Sequence, residues 1–209
     1  MMTPISLVAS ASHFPETVVA NEFFGGEKGV PHNGMFRGTK WRHHMDDGQS
    51  AVDLIVAATS KLEERLGAER VRDADIILTN VSMPDLPFTG CGAEVAKVLG
   101  LRPAWVYDLH SQGCVSFISM MSLAQSLIST YGAKKALLCN VQTAGGRIFA
   151  DPEIREMPQA AVPGDGCGVA LIEAGDSRPI EAIKVRCFAD NASDMQIKSQ
   201  DGRKWWEPG

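Results

Sequence analysis

The stretch AWVYDLHSQGCVSFISMMSLAQSLIST, residues 104–130, decides the fold. Its opening, Ala104 to Leu109 (AWVYDL), reads as a strand, and Val115 to Thr130 is an apolar run of helical length. Cys114 stands between them, on the expected turn from strand to helix. The first N–H groups of a helix lack intrahelical acceptors and carry partial positive charge, so a cysteine there is favoured as thiolate over thiol. That is the chemistry of a nucleophile. The alternative for any cysteine is a small buried apolar side chain, and position in the turn is what argues against it here.

Working outward, Ile5 to Phe14 (ISLVASASHF) is a strand candidate, and Asn21 to Gly38 is a polar, glycine-rich loop or excursion. From Ala51 to Leu66 the recurrence of Val52, Leu54, Ile55, Ala58, Leu62 and Leu66 predicts a helix, with Lys61, Glu63, Glu64 and Arg65 on its wet face. Asp75 to Val81 predicts a strand covered on both sides, followed by the loop MPDLPF. Thr89 to Leu99 predicts a second helix, opened by a threonine cap and stopped by Gly100. Beyond the Cys114 helix come a strand at Lys135 to Val141 and a polar loop, Gln142 to Pro163, too long for a simple connector. Gly164-Asp165-Gly166-Cys167-Gly168 then runs into a strand, VALIEAG, and Ile180 to Ala189 (IEAIKVRCFA) is the last strand candidate. Strands alternating with helices imply an α/β architecture, a mixed or largely parallel sheet with helices on both faces.

Composition narrows the function classes. The chain has 209 residues, 44% of them hydrophobic, and a net charge of -5 from 25 acidic and 20 basic residues without long runs of either sign. A nucleic-acid groove is not expected, and the partners are small molecules or proteins. The amino terminus lacks the basic flank and apolar block of a secretory signal, no window is expected to span a membrane, and a cytoplasmic location is the expectation. Five cysteines (Cys91, Cys114, Cys139, Cys167 and Cys187), odd in number and without CxxC pairs, argue against a disulfide framework or a metal site. Cys91, Cys139, Cys167 and Cys187 are read as reduced core thiols, and Met120 and Met121 as core.

A strand–Gly–Cys–helix turn alone suits several cysteine acyl enzymes, including glutaminases and thiol hydrolases. The surroundings are more specific. DLHSQGCVSF, Asp108 to Phe117, with GDGCGVAL some 50 residues later and ADIILTN before it, resembles the 3-oxoacyl-acyl carrier protein synthase III branch of the thiolase superfamily. The D-x(4–5)-C-x-G-F run of that family is read here as Asp108, Cys114, Ser116 and Phe117, and its G-D-G run as Gly164 to Gly166. The resemblance covers nearly the whole chain. It implies a thiolase-like α/β/α layered sandwich with a mixed five-stranded sheet, of which residues 1–175 are the first half and 176–209 the start of a similar second half.

The same resemblance implies the activity: loading of an acyl group from coenzyme A or acyl carrier protein onto Cys114, then condensation with a malonyl-type thioester in fatty acid or polyketide synthesis. No cofactor beyond the thioester substrate is implied, and a homodimer or homologous heterodimer is, formed along the strand before the nucleophile. Arg37 and Trp41 fall in FRGTKWRHHM, similar to the segment that meets the nucleotide and pantetheine of coenzyme A, with a solvated basic loop as the alternative. Arg155 matches a further phosphate-contacting arginine, and Phe88 the aromatic that closes the partner's acyl tunnel, unless it packs in its own subunit. Asp165 is assigned to holding its turn, and His110 is weighed as a base or a turn cap.

Three departures from the family pattern stand out. Ser116 replaces a glycine, and His110 and Gln112 replace small residues before the nucleophile, which points to an altered pocket floor. The family's histidine (PHQAN-like) and asparagine (NT-x(2)-S-like) motifs are absent from these 209 residues. The expectation is therefore a portion of a longer protein, or a half that pairs with another chain. Acyl transfer to an alcohol or amine, and a non-catalytic partner subunit, are the alternative functions.

Overall fold

The structure, a computed structural model, describes residues 2–25, 39–110, 112–157 and 159–191. Five strands form one sheet in the order β1 (Ile5–His13), β7 (Gly166–Ala174), β6 (Lys135–Gln142), β4 (Ile76–Val81), β5 (Trp105–Leu109). β4 runs parallel to both β5 and β6, while β7 runs antiparallel to β6 and to β1. The sheet is therefore mixed. A second, two-stranded ribbon pairs β2 (Val18–Ala20) with β3 (Trp41–His43), which the sequence reading did not foresee.

The chain leaves β4 for β5 on one side and returns past β4 to β6 on the other. Parallel crossovers keep one hand, so the two connecting helices must lie on opposite faces of the sheet. They do. On one face α2 (Ala51–Leu66) and α4 (Gly92–Leu99) bury Leu54, Ile55, Leu62, Val95 and Leu99 against Ile77, Leu137 and Leu171. On the other, α5 (Ser116–Tyr131) buries Met120, Met121, Ala124, Leu127 and Ile128 against Ile76, Leu78, Leu138 and Ile172. Every residue of β4 is buried, as its unbroken apolar run requires of a strand covered on both faces. The shorter helices include α1 (Glu22–Gly25), α3 (Ala68–Arg72) and α6 (Ala144–Arg147).

The α2 prediction holds from end to end. A capping box closes its start: the Asp53 N–H donates to Ser50 Oγ at 3.1 Å, and the Ser50 N–H to Asp53 Oδ2 at 2.8 Å. Four expectations need correction. α4 begins at Gly92, and Thr89 does not cap it; the acceptor comes from β5, as described below. Ile180 to Ala189 is not a strand: beside an isolated bridge at Ser6 and Pro179, its Val185 and Phe188 face solvent, and no neighbouring strand pairs with it among the described residues. Cys187, in that segment, is accordingly exposed rather than a core thiol. Finally, Gly113–Tyr131 is a 19-residue helical run of mean hydropathy 1.3, long and apolar enough by length and composition to cross a membrane. Its apolar stripe is engaged with the sheet instead.

Candidate active site

The carboxyl ends of the parallel strands β5, β4 and β6 lie side by side, where α/β sheets place their sites. Cys114 is delivered there by a single turn of 3-10 helix, Gly113–Val115, that leads directly into α5. Gly113 takes a φ of 55°, the left-handed conformation that lets the chain turn sharply before the cysteine. The first turn of α5 carries no acidic side chain, so nothing there offsets the partial positive charge of the helix start.

Accessibility separates the five thiols. Cys114 is exposed, whereas Cys139 and Cys167 are buried and Cys91 is half-buried. Burial pushes the Cys91 thiol up to about 11 and Cys167 up to about 12, and holds Cys139 well above its ordinary value. These three stay protonated at neutral pH and cannot serve as thiolates. Met120 and Met121 are core, as expected.

Beneath the cysteine turn the sheet is polar. Ser116, fully buried, donates from Oγ to Asn140 Oδ1 at 2.8 Å, and Asn80 Nδ2 donates to the same oxygen at 3.0 Å. Asn80 and Asn140 are register partners on β4 and β6. On the opposite face Asp108 Oδ1 accepts the Thr79 hydroxyl at 2.5 Å and the Gly92 N–H at 2.8 Å, which caps α4. Thr79, Cys91, Asp108 and the exposed His110 line a small cavity of about 40 Å³. No hydrogen bond between His110 and Cys114 is present among the described residues. The Ser116, Asn140 and Asn80 chain was not foreseen; polar residues at the ends of otherwise apolar strands were its only signal.

The G-D-G run performs the structural role assigned to it. Asp165, 2% exposed, accepts the N–H groups of Met45, Gly145 and Gly146 at 2.8, 2.7 and 2.6 Å, which ties β3, α6 and β7 together. A Cβ at Gly146 would lie 2.5 Å from the Met45 carbonyl oxygen, so this approach requires glycine.

Of the other predicted site residues, Trp41, Phe88 and Arg155 are carried by segments other than the Cys114 turn. Trp41 is on the β2–β3 ribbon, 66% exposed, with Lys40 Nζ 5.8 Å above its ring. Arg155 is half-buried, its guanidinium 5.3 Å over Phe23. Arg37 lies outside the described residues. Arg42, in the same basic segment, is 5% exposed: it sits 4.7 Å over Phe24, and its Nη1 donates to Asn21 Oδ1 at 2.8 Å. The alternation of β3 turns it inward and Trp41 outward. Phe88 is wholly exposed at 107% and has a φ of 67°, a left-handed conformation costly for a bulky side chain. Among the described residues no cluster of three His, Cys, Asp or Glu side chains suits a metal ion.

Sheet order, helices on both faces and the cysteine turn define a thiolase-like α/β chain. Comparison with known proteins places it further. A family model described as 3-oxoacyl-[acyl-carrier-protein (ACP)] synthase III matches residues 107–191. Beta-ketoacyl-[acyl-carrier-protein] synthase III 2 of Streptomyces coelicolor is 30% identical over 186 residues, 88% of this chain and 54% of its own length. A Pseudomonas aeruginosa beta-ketoacyl-[acyl-carrier-protein] synthase III is 32% identical over 174 residues, 82% and 50% of the two chains. The crystal structure of 3-oxoacyl-(acyl carrier protein) synthase III from Pseudomonas aeruginosa matches with a TM-score of 0.68 and 26% identity, over 84% of this chain and 53% of that one. The enzyme from Burkholderia xenovorans, at 23% identity and a TM-score of 0.71 over 84% and 50%, supports the fold alone. By these matches the chain is similar to the 3-oxoacyl-acyl carrier protein synthase III-like branch of the thiolase superfamily. It spans about half the length of the curated relatives it matches.

Proposed function

We propose that this chain carries the nucleophile of a ketosynthase III-type acyltransferase. The observation that carries this reading is the exposed Cys114 at the helix start above the carboxyl ends of the parallel strands, in a chain similar to this family. The Cys114 thiolate attacks the carbonyl carbon of an acyl thioester of coenzyme A or acyl carrier protein. A tetrahedral oxyanion forms, the carrier's C–S bond breaks, and the carrier thiolate leaves and takes a proton from solvent. The backbone N–H of Cys114, in a first turn whose N–H groups lack intrahelical acceptors, serves as one oxyanion donor. In the second stage a malonyl-type thioester loses CO2, its carbanion forms a carbon–carbon bond to the acyl carbon, and Cys114 is released as thiolate. That stage needs the family's histidine and asparagine motifs, neither of which occurs in these 209 residues; by the same resemblance residues 1–175 correspond to the first half of the fold and 176–209 to the start of the second. No further cofactor enters this scheme.

Two features support a dimer. β5 is an edge strand of the sheet among the described residues, free to pair with a second copy or a homologue, and Phe88 is presented outward on a strained loop as a side chain inserted into a partner would be. Arg37, Trp41 and Arg155 are proposed as contacts for the nucleotide end of coenzyme A, and the cytoplasm as the location. Acyl transfer to an alcohol or amine is a second reading, favoured by Ser116, His110 and Gln112 around the nucleophile. Incubation with acetyl-CoA followed by intact mass and peptide mapping tests the first stage. One acetyl adduct on the Cys114 peptide is expected, and no adduct overturns it.

A further inference from the structure

We propose that Ser116 and Asn140 are positioning residues that fix the Cys114 turn on the sheet and thereby aim the Cys114 N–H and thiol at the thioester carbonyl. The inference rests on the acyl-transfer reading above. Ser116 holds the turn twice. Its backbone N–H donates to the Gly113 carbonyl, closing the 3-10 turn around Cys114, and its hydroxyl donates to Asn140 Oδ1 at 2.8 Å. Asn140 is in turn oriented by Asn80 Nδ2, at 3.0 Å on the same oxygen, which fixes the amide with its oxygen toward Ser116.

A fully buried hydroxyl two residues from the nucleophile is costly unless its bond is made, so the bonded geometry is strongly preferred over any rotation of the turn. A glycine at this position, as in the family motif, offers no such tether. The tether therefore sets the turn by a bond to β6 rather than by close backbone packing.

The test compares two reactions of the same thiol in the purified protein. Acetyl-CoA loading of Cys114 needs the oxyanion donor, whereas alkylation by iodoacetamide passes through no oxyanion. Ser116→Ala and Asn140→Ala are each expected to slow loading about tenfold, while alkylation changes less than twofold. The double variant should load no more slowly than the slower single one, because both remove one shared bond. Ser126→Ala, on the exposed side of α5, serves as the matched control. Should Ser116→Ala fail to fold, Ser116→Gly takes its place; failure of both to fold assigns Ser116 to stability alone and overturns the inference. Unchanged loading, additive losses, or a parallel fall in loading and alkylation also overturn it. A wild-type protein that is alkylated on Cys114 but never loaded sinks the acyl-transfer reading, and this inference with it.

Discussion

Asp108 caps α4 through the N–H of Gly92, at 2.8 Å, from the neighbouring strand rather than from the residues that open the helix. The carboxylate sits where the first N–H groups of a helix need an acceptor and where negative charge is favoured. Because Asp108 lies six residues before Cys114 in the chain, this bond also locks the strand that delivers the nucleophile to the helix packed behind it. The Thr79 hydroxyl on the same oxygen extends the lock to β4.

The lock leaves no room at Gly90. A Cβ there would lie 2.0 Å from Asp108 Cγ, and at Gly92 2.6 Å from Val106 Cγ1. Gly90→Ala is expected to destabilise the protein by about 1–3 kcal/mol, the cost of overpacking a fixed site. Gly168→Ala, where a Cβ would meet nothing within 4 Å among the described residues, is the control and should be near neutral. Urea denaturation of both checks this, and equal midpoints would refute the lock.

Cys114→Ala should abolish acyl loading while changing stability by no more than about 0.5 kcal/mol, since an exposed thiol makes little contribution to packing. Mass spectrometry after acetyl-CoA treatment, paired with a thermal melt, separates the two effects. Loading that survives the substitution would move the nucleophile elsewhere, and Cys187, the other exposed thiol, would be the next residue to replace.

How much of this was legible in the sequence depends on whether the signal was local. α2, β4 and the strand–cysteine–helix turn were readable because apolar periodicity and a turn glycine are written in consecutive residues. The α4 cap was not, because its acceptor is Asp108, sixteen residues beyond Gly92 and on another element. The burial of Arg42 was not legible for a similar reason: nothing local in the basic stretch marks which of its charges strand alternation turns over Phe24. The Ser116 and Asn140 bond joins residues 24 positions apart and carries no spacing signature at all. Ile180 to Ala189 failed in the opposite sense, since β-rich composition makes a strand only where a neighbour supplies the ladder.

Asp165→Ala should be among the most damaging substitutions outside the apolar core. It leaves the N–H groups of Met45, Gly145 and Gly146 without their acceptor at a buried site, each at a cost of about 1–3 kcal/mol. A loss of about 3 kcal/mol or more in urea denaturation is expected. If instead stability is unchanged and only acyl loading falls, Asp165 belongs to the chemistry and its structural assignment is wrong.

His44 gives the fold a dependence on pH. It is 3% exposed, packed edge-on against Phe23 and Phe24, and its Nε2 has no hydrogen-bond partner among the described residues. Burial lowers its pKa from 6.5; the Asp165 carboxylate opposes the shift and Arg42 adds to it. The unfolded chain therefore takes up a proton at a pH where the folded chain still refuses it. Stability is full above about 6.5 and falls as the pH drops through the lowered folded value. His44→Phe keeps the aromatic contacts and removes the titration, so its melting temperature should fall less than that of the wild type between pH 7.5 and 5.5. His13, whose pKa is also lowered by burial, contributes in the same direction and remains in both proteins, so the difference between the two slopes isolates His44. Identical slopes would show that His44 takes up its proton as readily folded as unfolded.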